Sequence, residues 1–187
     1  MIEIYPDNKT SREIGKSWAS GGTLLGRLLI PLTRHHRAKE GLRGIKGTDS
    51  HLDMGCGDCY FLLHSPCKKR IGLDMRFGDD LNKGGLDFPD ASFDNASMIA
   101  VIEHLEEPKR IIKEVARVLK PGGRFIVTTP LEKGEWIMRL LKQDISEIHE
   151  EYYGPEEMEA LIEGTFEMVL FKKFHFGYNQ LFVMEKL

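Results

Sequence analysis

The sequence predicts an α/β fold, in which a doubly wound, mostly parallel sheet carries helices on both faces. His51-Leu52-Asp53 is a short apolar strand that ends in an acid, and a glycine turn and a helix-like segment follow it. About twenty residues later, a second short strand, Ile71-Gly72-Leu73, ends in Asp74. Strand-like and helix-like segments then alternate, which indicates parallel strands joined by right-handed crossovers.

The glycine turn has the form of a ligand-binding loop. Gly55 and Gly57 have no Cβ, so the backbone can turn sharply there and come close to a bound molecule. The N–H groups that open the following helix point into the same space. Asp74 ends the next strand, where an acid accepts hydrogen bonds from ribose hydroxyls. The pattern therefore predicts a cofactor that contains a nucleoside.

The residues around the turn discriminate between nucleoside cofactors. The dinucleotide fingerprint requires a third glycine where this chain has Tyr60, which disfavours a nicotinamide oxidoreductase. A pyrophosphate would also face the negative charges of Asp53 and Asp58. S-adenosylmethionine has no phosphate and carries a sulfonium and an α-ammonium group, which suit acids at the turn. We therefore expect S-adenosylmethionine as the cofactor.

Five motifs occur in an order that resembles one enzyme family. They are Asp53-Met54-Gly55-Cys56-Gly57, Asp74, Phe93-Asp94, Glu103-His104-Leu105 and Arg117-Val118-Leu119-Lys120-Pro121-Gly122-Gly123. Together they resemble the class I S-adenosylmethionine-dependent methyltransferases, most closely the small type 11 group, over roughly residues 50–130. The resemblance implies a Rossmann-like methyltransferase sheet with an antiparallel strand at its C-terminal edge, and S-adenosyl-L-methionine as the cofactor. The residues predicted to line the cofactor are Asp53, Gly55, Cys56, Gly57, Asp74, Met75, Asp80, Leu81, Ala100 and Val101.

The segment after Asp74 is short for the helix and strand expected there, because glycine, proline and aspartate fill residues 75–89. The resemblance implies that Asp80-Leu81 replaces the end of the third strand and meets the adenine edge. Met75 follows the ribose acid, and its polarizable thioether suits the adenine face. Filling of the core explains Met75 equally well.

Hydrophobic spacing predicts the remaining elements. Leucines at helical intervals predict a helix over Ser20–Lys39, which Pro31 breaks or restarts. The cluster Arg34-His35-His36-Arg37 is either a solvated helix end or an anion-binding patch. Met1–Thr10 is interpreted as a loosely held start. The later elements are strands over 92–101 and 124–129, a helix that begins at Pro108 and is stopped by Lys120–Gly123, a helix over 155–163, and strands over 166–171 and 174–184.

Length and composition favour a single domain over residues 1–187. Residues 1–45 are predicted to form an N-terminal helical cap, and the amphipathic residues 131–150 are predicted to cover the cleft. A net charge of −3 predicts no general affinity for nucleic acid. The sequence shows no signal peptide and no apolar run that could span a membrane. Three cysteines without a secretion signal favour a cytoplasmic location, and the oligomeric state stays open.

The cysteines allow two rival functions. Cys56, Cys59, His64 and Cys67 approach the spacing of a zinc knuckle, which would bind single-stranded nucleic acid. The last spacing is too short for a standard knuckle, and the first two cysteines lie inside the glycine turn. A redox Cys-x-x-Cys is disfavoured similarly, so we predict no metal site. Cys59 stands where the family has a third glycine, so its backbone must avoid positive φ or bear strain.

Two histidines are the catalytic candidates. His104 follows the fourth strand, at the edge where parallel sheets place ligands, so it could orient an acceptor or take its proton. A structural hydrogen bond at a helix start explains it equally. His149 is a second candidate by resemblance only, and a structural role is favoured there. Ala100-Val101-Ile102-Glu103 stands where enzymes that methylate amides or nucleobase amino groups carry Asn/Asp-Pro-Pro-aromatic.

These features predict an enzyme that moves a methyl group from S-adenosylmethionine to an oxygen or nitrogen of a small molecule, without a nucleic-acid or membrane partner. Because the sulfonium already activates the methyl group, the protein has to supply mainly proximity, orientation and a dry site. The alternative is a non-catalytic S-adenosylmethionine-binding or partner-regulating module. That alternative gains weight from the compressed 75–89 segment and from the lack of an unambiguous base.

Overall fold

The computed structural model describes residues 1–4, 24–47, 49–131 and 151–187. The strands in these ranges are β1 (Ile2–Ile4), β2 (Ser50–Met54), β3 (Lys69–Leu73), β4 (Phe93–Ile99), β5 (Leu119–Pro130), β6 (Phe166–Phe174) and β7 (Asn179–Lys186). The α-helices are α1 (Leu24–Leu42), α2 (Tyr60–His64), α3 (Pro108–Val118) and α4 (Pro155–Ile162). Short 3-10 turns occupy Met75–Phe77, Ile102–His104 and His175–Gly177.

The strands form one sheet in the order β1-β3-β2-β4-β5-β7-β6. The central strands β3, β2, β4 and β5 are parallel to one another. β7 runs antiparallel to β5, and β6 runs antiparallel to β7 at the C-terminal edge. This arrangement confirms the predicted mostly parallel sheet with an antiparallel C-terminal edge.

Alternate residues of each strand face two different helical layers. Phe125 of β5 packs in the main core with Ile111 of α3, and α4 contributes to the same core. Ile126, the next residue, packs with Val183 of β7 in a smaller cluster on the opposite face. Helices therefore cover both faces of the sheet, as the doubly wound prediction requires.

α1 and the residues just after it, up to Gly44, lie directly on the second face of the sheet. A Cβ built on Gly44 would lie 2.7 Å from a side-chain carbon of Ile126 and 2.9 Å from one of Val183. A Cβ built on Gly41 would lie 3.3 Å from Cδ1 of Ile99, at the end of β4. α1 therefore runs antiparallel to β4 and β5, and the residues before Gly41 approach the carboxyl edge of the sheet.

α3 begins at Pro108, as predicted, and packs one apolar side against the sheet. Burial of each of its large side chains is worth roughly 1.5–3 kcal/mol. The helix ends at Val118, so the predicted stop at Lys120–Gly123 is wrong: β5 begins at Leu119, which already pairs with Phe93. The buried residues of α3 are Ile111, Ile112, Val115, Ala116 and Val118.

No helix in the described ranges is both long and apolar enough to cross a membrane.

Two predictions near the N-terminus are wrong. α1 continues through Pro31, because the packing of its second half offsets the roughly 3 kcal/mol that an interior proline costs. Ile2–Ile4 is not loosely held, since it pairs antiparallel with β3. Residues 5–23 and 132–150 lie outside the described residues, so the helical cap over 1–45 and the cleft cover over 131–150 stay predictions.

Residues 78–92 connect the turn after β3 to β4 with neither helix nor strand, as the composition predicts. Two arginines of α3, Arg110 and Arg117, fasten this segment through hydrogen bonds of 2.7–2.8 Å to backbone carbonyls. The bonds from Arg117 to Glu114 and Asp90 raise the pKa of Arg117 above its ordinary value. The accepting carbonyls belong to Leu81, Gly84, Leu86 and Phe88.

Candidate active site

The glycine turn after β2 folds back onto the end of β3. The N–H groups of Gly55 and Cys56 both donate to the carbonyl oxygen of Leu73, at 2.8 and 3.0 Å. Gly55 has a φ of 69°, and a Cβ there would lie 2.3 Å from Cγ2 of Val101, so only glycine fits. Gly57 has a φ of 54°, but no described atom lies within 4 Å of its Cβ position. The space above Gly57 is therefore open to a ligand.

Asp74 borders the same space from the end of β3. Its Oδ2 accepts a hydrogen bond from the N–H of Gly57 at 2.8 Å, and its Oδ1 accepts one from the N–H of Arg76 at 3.0 Å. The side chain is only 14% exposed. An ionised carboxylate can accept about four hydrogen bonds. Asp74 is therefore held in place by backbone donors and still has lone pairs for the hydroxyl groups of a ligand.

Asp53 ends a chain of buried hydrogen bonds that crosses from β2 to β4. Ser97 Oγ lies 2.5 Å from Oδ1 of Asp53 and 2.8 Å from Nε2 of His51. Nδ1 of His51 lies 2.9 Å from Oγ of Ser65. The pairing of Asp53 with Ser97 in the parallel register of β2 and β4 brings these side chains together.

Burial determines the protonation of this chain. Desolvation lowers the pKa of His51 to about 3, so the ring is neutral. Because ionised Asp53 can only accept, Ser97 donates to Asp53 and accepts from Nε2 of His51, and Nδ1 then accepts from Ser65. Desolvation raises the pKa of Asp53 to about 7. The hydrogen bond from Ser97 opposes this shift, and repulsion from the charge of Asp74 adds to it. Asp53 therefore changes charge near neutral pH.

The two cysteines of the turn are buried, and their Sγ atoms lie 3.6 Å apart. Cys59 has a φ of 59°, so it occupies the strained backbone region rather than avoiding it. The contact with Cys59 and burial raise the pKa of the Cys56 thiol. Cys67 instead contacts Asn95 and the carbonyl of Gly47. In the described part of the chain, no three potential ligands come together as a metal site.

The predicted adenine side lies next to Asp74. Met75 is 74% exposed, which rules out the interpretation that it fills the core. The N–H of Asp79 donates to the carbonyl of Asp74 at 3.1 Å, so the segment stays close to the end of β3. Asp80 forms an ion pair with Lys83 at 3.0 Å, whereas Leu81 packs against the main core.

The turn after β4 brings the other predicted residues to the same edge. Ala100 has a φ of 58° and donates to the carbonyl of Thr128 at 2.8 Å, and Val101 covers Gly55. Glu103 points inward and is 3% exposed, whereas the His104 side chain is exposed. Sequence reasoning selected the histidine of this pair and missed the inward orientation of the glutamate. His149 lies outside the described residues.

The basic cluster of α1 divides between two environments. Arg34 forms an ion pair with Asp58, beside the glycine turn, and its guanidinium lies 4.2 Å from the ring centroid of Tyr60. Arg37 is half-buried, and burial lowers its pKa, although the charge of Glu103 opposes this. One feature of the sequence indicates that Arg37 is the more buried of the two: it precedes Gly41 by one helical turn and so shares its sheet-facing side.

Comparison with known proteins agrees with this geometry. Residues 52–127 match the family described as "Methyltransferase domain" (Methyltransf_11). A Mycolicibacterium smegmatis protein, named as an S-adenosylmethionine-dependent methyltransferase, is 36% identical over 98 residues, which cover 42% of this chain and 37% of that protein. Over residues 52–127, this chain therefore matches the type 11 group of the class I S-adenosylmethionine-dependent methyltransferases.

Two solved structures show how far the methyltransferase fold extends. A Haloferax volcanii protein in complex with the Trm112 methyltransferase activator has a TM-score of 0.64 at 20% identity, over 86% of this chain and 93% of that one. The Burkholderia thailandensis 1,6-didemethyltoxoflavin-N1-methyltransferase, solved with S-adenosylhomocysteine, has a TM-score of 0.60 at 15% identity, over 83% and 80%. The curated relatives are matched over about a third of their length, 34–37% for the first three.

S-adenosylmethionine is the cofactor of this methyltransferase family, and the described residues fit it. The open space above Gly57 admits a ligand next to the backbone. The fixed carboxylate of Asp74 presents acceptors of the kind that ribose hydroxyls require. Asp53 adds a carboxylate of the sign that an α-ammonium group requires.

Proposed function

We propose that this methyltransferase transfers the methyl group of S-adenosylmethionine to an oxygen or nitrogen atom of a small molecule. The observation that supports it most is the Asp74 carboxylate, fixed beside the open space over Gly57 at the carboxyl edge of the parallel strands. Ligands of doubly wound sheets bind at this edge. We also propose a cytoplasmic location, which is supported by three buried cysteines that carry no disulfide.

Each of the predicted cofactor residues has a proposed role. Asp74 accepts hydrogen bonds from the ribose hydroxyls, and Asp53 attracts the α-ammonium group. Gly55, Cys56 and Gly57 bring the backbone close to the methionyl part. The exposed thioether of Met75 packs on the adenine face, and Asp80-Leu81 borders the adenine edge. Ala100 and Val101 border the sulfonium.

The chemistry then depends mainly on how the chain positions the acceptor. When bound, S-adenosylmethionine supplies a methyl group that its sulfonium has already activated. The residues of the carboxyl edge hold the acceptor in line and exclude water, which is the main contribution that such a transfer needs from a protein. His104 is exposed at this edge and is our first candidate to orient the acceptor or take its proton. His149 is the second candidate.

The alternative function is a non-catalytic S-adenosylmethionine-binding or partner-regulating module. The segment over residues 78–92 without helix or strand supports it, and so does the Haloferax volcanii neighbour, which was solved with a methyltransferase activator. The two functions differ in one observable. A module of this kind would bind the cofactor but transfer no labelled methyl group to any member of a small-metabolite library.

Asp74→Ala tests the cofactor site directly. The variant loses acceptors for two ribose hydroxyls, and each hydrogen bond to a charged group is worth roughly 1.5–3 kcal/mol. Calorimetry should therefore show that affinity for S-adenosylhomocysteine falls at least about tenfold, with the fold retained. Asp49→Ala is the matched control, because Asp49 is 69% exposed and lies at the opposite edge of the sheet. If Asp74→Ala binds as well as the parent protein, the site is misassigned.

A further inference from the structure

The charge of Arg37 is half-buried, and the opposite charge of Glu103 partly compensates it. Its Nε is fully enclosed without a hydrogen-bond partner, and among the described contacts its guanidinium forms no ion pair. Two nearby arginines differ from it: Arg34 of α1 pairs with Asp58, and Arg43, just after α1, pairs with Glu40. A buried N–H donor without a hydrogen-bond partner is costly, so we expect a chain that keeps one there to have a use for it.

The register of α1 places Arg37 toward the carboxyl edge of the sheet, where we propose that the methyl group is transferred. Gly41 lies against Ile99 at the end of β4. Arg37 lies one turn earlier on the same side of the helix, about 5.4 Å nearer the carboxyl edge. Ile99 pairs with Thr128, whose carbonyl accepts from the N–H of Ala100. Arg37 therefore lies above Thr128 and the turn that starts at Ala100.

Two more buried polar atoms in this region lack a partner among the described residues, Oγ1 of Thr128 and Oδ1 of Asn179. Thr128 shares the face of Ile126, which α1 covers. Asn179 begins β7, and its Nδ2 lies 3.3 Å from Nδ1 of His175. Burial lowers the pKa of His175 to about 4, and Arg37 is close enough to contribute. A cation and a hydroxyl, which can donate to a carboxylate, and an amide oxygen, which can only accept, thus line one region between α1 and the sheet.

We propose that Arg37, with Thr128, binds the carboxylate of the methyl acceptor, so that the acceptor is a small monocarboxylic acid. This inference rests on the proposed function. A guanidinium matches a carboxylate through two parallel hydrogen bonds. A phosphate dianion fits less well, because one arginine would have to balance two charges beside the buried Glu103. The cofactor's own carboxylate would have Arg34 rather than Arg37 as its neighbour, because Arg34 is the arginine beside the glycine turn.

A matched binding screen tests the subsite. The full chain, saturated with S-adenosylhomocysteine, is screened by ligand-detected NMR against small monocarboxylic acids, each paired with its primary amide. Acids should bind and their amides should bind at least about tenfold more weakly. Arg37→Gln should reduce this preference below about twofold, and Arg37→Lys should keep part of it. Arg43→Gln, the same charge change just after the end of α1 at a 53% exposed side chain, should keep all of it.

Several results would overturn the assignment. The first is that neither the acids nor their amides bind, and the second is that both bind equally well. The third is that Arg37→Gln keeps the parent protein's preference for acids over amides. A loss of S-adenosylhomocysteine affinity above about tenfold in Arg37→Gln would assign the arginine to the cofactor instead. Because Arg37→Gln leaves the buried Glu103 without its opposite charge, this variant should melt at a lower temperature than the parent protein, whereas Arg37→Lys keeps that charge. If Arg37→Gln does not fold, Arg37→Lys decides the test through its intermediate preference.

The proposed function is judged by a separate measurement on the same compounds. Acids that bind are incubated with S-adenosylmethionine labelled in its methyl group, and the label is followed into the acid. Transfer should fall in Arg37→Gln through a higher KM for the acid, because binding of the carboxylate is lost. Selective binding of acids without any transfer would reject methyl transfer but leave the carboxylate subsite in place.

Discussion

Asp53→Asn should stabilise the protein while weakening its hold on the cofactor. The Asp53 carboxylate is 1% exposed, and its burial raises the pKa to about 7. The folded chain therefore binds this proton more tightly than the unfolded chain, in which the group titrates near 3.8. The stability that this group contributes is fully present below pH 3.8 and is lost as the pH rises through about 7.

The expected size follows from the two pKa values. At about 1.4 kcal/mol per pH unit, the ionised group costs up to roughly 4 kcal/mol above pH 7. Asparagine keeps an oxygen that can accept from Ser97 but carries no charge. We expect the gap in unfolding free energy between the variant and the parent to widen by roughly 2–3 kcal/mol from pH 5 to pH 8. The neutral His51 acts in the opposite sense at low pH, but it is common to both proteins.

Urea unfolding of both proteins at pH 5 and pH 8, without nucleoside, measures this gap. Asp49→Asn is the control, because that carboxylate is 69% exposed and should change stability by less than about 0.5 kcal/mol at either pH. Calorimetry at pH 8 should show about tenfold weaker binding of S-adenosylhomocysteine by Asp53→Asn, since its α-ammonium loses an opposite charge. A gap that stays constant or closes at pH 8 would refute the reasoning.

Three further predictions concern the glycine turn, the catalytic candidate and the cysteines. Gly55→Ala should lose roughly 2–5 kcal/mol of stability, measured by denaturation, because of its positive φ and the clash with Val101. Gly57→Ala should lose only about 1–2 kcal/mol of stability, and its main loss should be cofactor affinity, measured by calorimetry. His104→Ala should raise the acceptor's KM if the histidine positions it, or lower kcat by roughly 10²–10⁴ and flatten the pH profile if it takes the proton; unchanged kinetics would reject both. Elemental analysis should find no stoichiometric zinc, and a chelator should leave the melting temperature unchanged; zinc lost on Cys67→Ser would contradict this.

The parts of the site that could be predicted are those with local signals. Two glycines after a short strand and an acid at the end of the next are visible within twenty-odd residues, about the length of one strand-helix-strand unit. The structure brings Gly57 and Asp74 within hydrogen-bond distance, as the pattern requires. The amphipathic spacing after Pro108 identified α3 in the same way, because its buried face follows the helical period.

The remaining features depend on contacts between distant elements. The bond from Ser97 to Asp53 spans 44 residues and exists only in the observed register of β2 and β4. The burial of Arg37 depends on how α1 lies on the sheet, which its basic neighbours in sequence conceal. The pairing of Ile2–Ile4 with β3 and the passage of α1 through Pro31 likewise depend on partners that the local sequence does not reveal.

Because Arg110 and Arg117 hold residues 78–92 in place, an insertion in this segment has a different effect from an insertion in a strand. A one-residue insertion within a central strand would turn its side chains to the wrong face of the sheet. An insertion within residues 78–92 changes no strand register, and guanidinium groups on α3 hold that segment through backbone carbonyls. The segment, which we propose to border the adenine, can therefore be lengthened, shortened or exchanged by loop grafting, provided that the apolar side chains of Leu81, Leu86 and Phe88, which pack in the core, are kept. An engineer who seeks to accommodate a base-modified cofactor analogue should begin with this segment.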